Sequence, residues 1–289
     1  MFFSKELLQE AGAHSCGSVP FAALEESMTD AMRKKAARVC PWAKMVYSFV
    51  FPYGNGGEGN LAAYARGRDY HLVIKERLDV LRRKLEEELP GSNFAVFADD
   101  APFPEVLAAS FSGAGVLGKN GLIFCPPYGC RVLLGEIVTD AYKEHPAVRK
   151  SGACLNCSRC LLACPTGAMT QKDGRRILDT GKCISAITQK KGDLNPEEIE
   201  YLRKSPYIWG CDECVKACPL SGTGIAPDYV HEEGLIFSLR PEDISGLSDK
   251  EFLSKYPERS FTWRGVKPLL RNLAFKKGIK LNNNTPKQE

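Results

Sequence analysis

The chain has 289 residues, 44% of them hydrophobic and 26% charged, with a formal net charge of +4. That length buries a full core and accommodates two or three structural units, while so mild a charge does not by itself point to nucleic acid. The opening MFFSKELLQEAG turns charged at once and no stretch of about 18 uninterrupted apolar residues follows, so neither a signal peptide nor a membrane span is expected; the chain reads as cytoplasmic, with its twelve cysteines kept as thiolates or ligands rather than disulfides.

Residues 1–38 show helical periodicity interrupted around Gly17 to Pro20. The run Ala43 to Tyr53 is apolar and β-rich, and reads as a buried strand. The glycine-rich GNGGEGN (Gly54 to Asn60) lacks the spacing of a phosphate-binding loop. From Leu61 to Leu89 apolar residues recur at helical intervals, which predicts one long amphipathic helix or a pair. Its first turns carry YARGRDYH (Tyr64 to His71), either a solvated face or part of a site. A strand is expected over Asn93 to Asp99, ending in the acidic pair Asp99 and Asp100. An acid there suits a site residue at a strand's end, and equally a cap for the helix that PEVLAASF would start. Four glycines between Gly113 and Gly121 predict a close backbone approach. Leu122 to Phe124 and Val132 to Val138 read as strands of the same buried sheet. Helix and strand thus alternate up to about residue 145, the pattern of a layered α/β or α+β domain.

Eight cysteines then fall between Cys154 and Cys218. Cys154, Cys157, Cys160 and Cys164, followed by Pro165, have the C-x2-C-x2-C-x3-C-P spacing of two-cluster ferredoxins, and Cys211, Cys214 and Cys218 before Pro219 repeat its last part. Three closely spaced thiolates wrap one face of an iron-sulfur cube, while the cysteine before proline reaches the other cube. The spacing therefore assigns one 4Fe-4S cluster to Cys154, Cys157, Cys160 and Cys218, and a second to Cys164, Cys183, Cys211 and Cys214. Tetrahedral zinc sites also use paired CxxC units, but need neither the third cysteine nor the CP ending. Cys16, Cys40, Cys125 and Cys130 read as buried, small apolar residues without a role. Between Arg264 and Lys280 lie six basic residues and no acidic one, a local positive field that is either a solvated helix face or an RNA contact.

In their order, YARGRDYH, the strand ending in ADDAPFPE, GAGVLGKNGLIF, LLGEIVTD, the first cysteine run, KCISAIT, WGCDECVKACP and WRGVKPLLRN make residues 40–278 resemble the epoxyqueuosine reductases. These are cobalamin-dependent enzymes of tRNA queuosine synthesis, related to the reductive dehalogenases. The resemblance implies an α+β chain: a nitroreductase-like cobalamin-binding catalytic domain over 1–145, a ferredoxin-like double 4Fe-4S domain over 146–228, and a helical C-terminal segment with a basic tail over 229–289. It implies that Asp99 is the catalytic proton donor, with Asp100 the competing candidate. It implies that cobalamin lies against Ala62, Tyr64, Arg66, His71 and Asp99, against main chain near Lys119, Ile123 and Leu133, and beside Ser185 where the two modules meet. The eight cluster cysteines keep the pairing given above. Protonation of a departing oxygen near neutral pH requires Asp99 to have a raised pKa, for which Phe97 and Phe103 would supply the apolar surroundings.

The implied activity is the two-electron conversion of epoxyqueuosine to queuosine at the wobble position of tRNA. The implied partners are a tRNA anticodon stem-loop and an external low-potential donor such as flavodoxin or ferredoxin, with a monomer favoured. Some positions depart from the pattern: Val116 and Ala186 replace aromatic residues, Leu220 and Ser221 replace Trp and Asn, and the HEAT-like repeats of longer members are expected to be missing. Those departures favour an alternative, a related reductase or dehalogenase-like enzyme acting on a small molecule. A third reading is a ferredoxin-like electron carrier, against which the retained YARGRDYH and Asp99 elements stand.

Overall fold

The computed structural model describes residues 3–54, 57–147, 154–172, 175–221 and 234–277. Its first part contains α1 (Lys5–Glu10), β1 (Ser15–Pro20), α2 (Ala22–Glu25), α3 (Asp30–Val39), β2 (Met45–Pro52), α4 (Tyr70–Glu88), β3 (Phe94–Phe97), α5 (Glu105–Phe111), β4 (Val116–Leu117), β5 (Ile123–Phe124) and β6 (Val132–Thr139). The cysteine-rich part contributes α6 (Arg159–Leu162), β7 (Met169–Lys172), β8 (Arg175–Leu178), α7 (Ile184–Gln189), α8 (Pro196–Lys204) and α9 (Glu213–Lys216), and the remainder α10 (Pro241–Ile244), α11 (Asp249–Lys255) and α12 (Lys267–Lys277).

The main sheet has the order β1-β2-β6-β3 and is antiparallel throughout, so the architecture is α+β. Strand alternation gives it two faces. Tyr47, Phe49, Phe51 and Ile137 face α4, whose Ile74, Leu78, Leu81 and Leu85 fill that layer; Val46, Val138 and Phe97 face the opposite layer with Phe103 and Ala108. Gly135 explains how closely α4 lies on β6, because a Cβ there would stand 2.6 Å from Ile74 Cγ2 and 2.8 Å from Leu78 Cδ1.

Three expectations are corrected. The helical periodicity of residues 1–38 is broken not just around Gly17 to Pro20 but from Ser15, by β1, which the hydrogen-bonding edge of β2 makes into a strand. Ile123–Phe124 does not join the main sheet; β5 pairs only with β4 in a separate two-stranded ladder. The periodicity from Leu61 forms no helix before Tyr70 except a 3₁₀ turn at Ala63–Ala65, because this backbone is bonded elsewhere. Ala62 N–H donates to Trp209 O (2.9 Å), Ile208 N–H to Asn60 O (2.8 Å), and the Asp212 carboxylate accepts from Ala63 N–H (2.6 Å). A segment committed to a neighbouring strand has no amide left for helix.

This zipper joins the sheet domain to the second cysteine run. Gly210 permits it with a φ of 69°, and any Cβ there would strike Ala62 and Tyr64. Leu61, Ala65, Ile208, Trp209, Phe252, Phe261 and Leu269 form one buried cluster over the joint, and the buried Asn272 of α12 donates to Thr188 O (2.8 Å) and Ile208 O (2.9 Å).

The basic C-terminal segment is also corrected. Arg271 donates to Lys190 O (2.8 Å) and Gly192 O (2.5 Å), and Lys276 to the carbonyls of Leu202 and Ser205. These cations tie α12 to α7 and α8 and are not left for phosphate. Lys280 and the terminal NNNTPKQE lie outside the described residues, as do the side chain of Lys277, Asn55 and Gly56 of the glycine-rich loop, and the boundary expected at residue 228. Among the described residues no helix is long and apolar enough to cross a membrane.

Candidate active site

An open cavity of about 560 Å³ lies where the three parts of the chain meet, lined by Tyr64, Asp69, Tyr70, His71, Asp99, Leu133, Ser185, Gln189, Trp209, Ser260 and Trp263. Its volume falls in the range of small-molecule and cofactor sites. The residues come from the start of α4, the end of β3, β6, α7 and the loop before α12, so no single stretch of sequence makes it.

The polar end is built from local helix chemistry. Asp69 caps α4, accepting from His71 N–H (3.0 Å), and the same oxygen lies 2.7 Å from His71 Nδ1. This fixes the ring so that Nε2 faces Asp99 Oδ2 at 3.5 Å. Tyr70 stacks on His71 with ring centroids 4.0 Å apart and donates its hydroxyl hydrogen bond to the same Asp99 oxygen. Asp99 follows β3 with a φ of 61°, a left-handed conformation that Asp tolerates better than most residues. Asp100 turns away, accepting from Ala98 N–H (3.0 Å) and Lys75 Nζ (2.8 Å).

The electrostatics differ from the raised Asp99 pKa that the sequence led one to expect. Partial burial pushes the Asp99 pKa up, but hydrogen bonds from His71 and Tyr70 outweigh it and hold the carboxyl below its usual value. Phe97 and Phe103 pack in the core beneath α5, whereas the Asp99 side chain is 61% exposed to the cleft. His71 behaves oppositely: burial disfavours its charge, yet hydrogen bonds to Asp69 and Asp99 lift its pKa to about 9. Near neutral pH the pair is therefore an imidazolium beside a carboxylate, and His71 holds a titratable proton within reach of Asp99.

A second group of acids lies behind the Asp99 loop. Glu136 of β6 is fully buried, neither carboxyl oxygen has a hydrogen-bond partner among the described residues, and burial pushes its pKa well up, with Glu105, Asp99 and Asp100 adding repulsion. Burial likewise lifts Glu105 to about 7, although Ala101 N–H donates to it (2.9 Å). A carboxyl whose folded pKa is raised contributes full stability below its unfolded value, near 4.5, and loses it as pH rises through about 7. Glu105→Gln is accordingly expected to flatten the fall in melting temperature between about pH 5 and pH 7, read by thermal denaturation across that range; an unchanged slope would contradict the assignment.

Cys154, Cys157, Cys160 and Cys218 line one apolar cavity together with Lys119, Asn120, Cys130 and Leu220. These are the four cysteines the spacing assigned to one cluster, and thiols converging on a water-poor cavity suit an iron-sulfur cube. In the other set, Cys183 caps α7, while Cys183 and Cys211 are both within electrostatic reach of Cys214. Cys164 is hydrogen-bonded to Thr166 (3.5 Å). Ser221 is buried, with its Oγ accepting from Cys130 N–H (3.1 Å) and its carbonyl from Arg131 Nε (3.1 Å), so this departure from the family pattern fixes the loop after Cys218. The four cysteines outside the cluster set are all buried, as expected.

Of the residues implied to contact cobalamin, Tyr64, His71, Asp99, Leu133 and Ser185 line the cleft. The other four do not. Ala62 is fully buried at the zipper, Ile123 is buried in β5, and Lys119 reaches Ser158 Oγ (2.9 Å) beside the first cluster cavity. Arg66 is 1% exposed, with its Nε donating to Leu61 O (2.9 Å) and its Nη1 to Gly57 O (2.6 Å), so its guanidinium supports the fold beneath the cleft. Asp69, Tyr70, Gln189, Trp209, Ser260 and Trp263 were not singled out from sequence. Asp69 and Tyr70 stood within YARGRDYH, where the Asp before a helical run is a capping signal; Ser260 and Trp263 reach the cleft only through the packing of the C-terminal helices.

Two family models match: a 4Fe-4S double cluster binding domain over residues 153–221 and an epoxyqueuosine reductase QueG model over 33–100. The epoxyqueuosine reductase of Lactococcus garvieae is 32% identical over 251 residues, 82% of this chain and 69% of that protein. That of Staphylococcus aureus is 29% identical over 279 residues, 92% of this chain and 71% of its own. Among solved structures, an epoxyqueuosine reductase with a tRNA-Tyr epoxyqueuosine-modified stem loop superposes with a TM-score of 0.76 at 26% identity, covering 95% of this chain and 80% of that one.

Proposed function

Since the chain belongs to the epoxyqueuosine reductase family, we propose that the cleft between α4, β3 and α7 is where it converts epoxyqueuosine in tRNA to queuosine. The single observation that carries the assignment is the convergence of Asp99, His71 and Ser185 on one cavity, with the cluster cysteine Cys183 two residues from Ser185. The overall step takes two electrons and two protons, breaks both epoxide C–O bonds, and leaves an alkene and water. No side chain supplies electrons. Two 4Fe-4S clusters and cobalamin, held by the cluster cysteines and the cleft walls, would supply that redox chemistry when bound. The residues present fit these groups: the first cluster's four thiols share one cavity, and the cleft is wide, open and aromatic-walled.

The chain's own part is to bind, orient and protonate. Tyr64, Leu133 and Ser185 wall the cleft where cobalamin would lie, and Asp99 faces the space left for the nucleoside. Asp99 is the proton donor in this reading, and Asp100 is not, because Lys75 and the Ala98 amide hold it away. Asp99 takes its proton from the His71 imidazolium across their shared contact and passes it to the departing oxygen. We assign residues 1–145 to the catalytic domain, 146–228 to the cluster domain and 229–289 to a helical C-terminal segment with a basic tail, of which Ser260 and Trp263 reach the cleft. The cluster set Cys154, Cys157, Cys160 and Cys218 and the set Cys164, Cys183, Cys211 and Cys214 complete the assignment, with a flavodoxin- or ferredoxin-type donor, a cytoplasmic location and a monomeric state.

The deciding experiment is anaerobic. The clusters are reconstituted, cob(II)alamin is added, free cofactor is removed, and the cobalt EPR spectrum is recorded before an epoxyqueuosine-bearing stem-loop and a chemical reductant are supplied. Stoichiometric retention with a perturbed cobalt signal, followed by loss of one oxygen mass from the RNA, is expected. Two intact clusters without retained cobalamin would leave an electron carrier; retained cobalamin with unaltered RNA would leave a reductase of a smaller substrate.

A further inference from the structure

We propose that Trp263, backed by Arg264, forms a stacking edge at the mouth of the cleft on which a nucleobase next to the modified nucleoside rests. The inference deepens the tRNA reading and rests on it. Trp263 is 57% exposed, whereas Trp209, also in the cleft wall, is 1% exposed. Such a side chain left in water at the rim of a site forgoes a large burial gain, which calls for an explanation by what covers it.

The indole is held in place from two sides. The Arg264 guanidinium stacks on it, 3.6 Å from the ring centroid, and Trp263 Nε1–H donates to Gln189 Oε1 (3.3 Å), whose Nε2 reaches Tyr64 Oη (3.3 Å). Arg264 Nε is buried with no hydrogen-bond partner among the described residues. An aromatic face with a cation stacked behind it matches the recognition of unstacked bases in single-stranded RNA loops.

Charge orients the partner. Asp69 and Asp99, with the His71 imidazolium between them, occupy the polar end of the cleft. Next to Trp263 in the chain, Arg264 and the exposed Lys267 carry positive charge, and no acidic residue occurs between Arg264 and Lys277. Arg271 and Lys276 are spent on carbonyls, which among the described side chains of this segment leaves Arg264 and Lys267, at the start of α12, as the cationic contact. A base inserted against Trp263 with its phosphate toward Lys267 satisfies both conditions.

The test uses holoenzyme carrying Trp263→Ala or Trp263→Phe. It measures KM and kcat on an epoxyqueuosine-bearing stem-loop, and the Kd of a fluorescently labelled unmodified stem-loop by anisotropy. For Trp263→Ala, KM and Kd are expected to rise ~5–100-fold while kcat, iron content and cobalamin retention stay near wild type. Trp263→Phe should recover most of the affinity, since a ring still stacks. Unchanged Kd in Trp263→Ala would overturn the proposal, and so would lost cobalamin retention, which would make the indole a cofactor wall. If wild-type enzyme binds the stem-loop but never reduces it, the tRNA reduction reading fails, and the Kd comparison still decides the stacking edge.

Discussion

Asp99→Asn is expected to lower kcat by about 10²–10⁴-fold, the range for a positioned general acid, while iron and cobalamin contents stay at wild-type levels. Asn suits the comparison because it tolerates the left-handed backbone at position 99 nearly as well as Asp. It also retains an acceptor for the Tyr70 hydroxyl. What it loses is the ability to take a proton from His71 and give it away. The variant should also change the pH profile. In the parent enzyme His71, lifted to about 9, keeps the proton available through neutral pH, and activity should decline as pH rises through that value. Removing the Asp99 charge removes one of the two supports of the imidazolium, so the residual activity should decline at a lower pH. Turnover by Asp99→Asn at the parent rate would discard the acid assignment and direct attention to His71 itself. A large loss accompanied by lost cobalamin would instead mean that Asp99 acts as a binding residue.

Cys183→Ala should bring iron from about eight to about four atoms per chain and abolish turnover, with the remaining cluster still visible by EPR. The prediction follows from position as well as spacing. Cys183 is the cap of α7, and the next turns of that helix carry Ser185 and Gln189 into the cleft. In the proposed pairing, the cluster that Cys183 would hold lies beside the reaction site and would be the last stop for electrons entering it. The other set lines a separate cavity near Lys119 and would stand earlier on the route from an external donor. Retention of about eight irons in Cys183→Ala would refute the ligand pairing. Retention of about four with near-normal turnover would instead show that electrons enter the cleft from the first cluster.

The cysteine spacing carried most of what the sequence by itself determined. Ligand geometry around a cube is local, so C-x2-C-x2-C-x3-C-P is legible without a fold, and the fold brings Cys218 to the same cavity as Cys154, Cys157 and Cys160. The strands over Met45–Pro52 and Val132–Thr139 were equally legible because the first is buried on both faces and the second from Gly135 onward, so both read as apolar runs. Asp99 was found by its place at a strand end within a family-like order of motifs.

Tertiary structure decided the rest, because each remaining property depends on partners distant in sequence. Gly17 to Pro20 becomes a strand only beside β2, and the stretch from Leu61 stays out of α-helix where Phe237, Trp209 and Asp212 accept from the Leu61, Ala62 and Ala63 amides. Arg271 and Lys276 look like free cations in sequence, yet carbonyls from other segments consume them. The charge state of Asp99 follows the same rule: apolar neighbours in sequence implied a raised pKa, but a side chain answers to what surrounds it in space, and His71 and Tyr70 set it the other way.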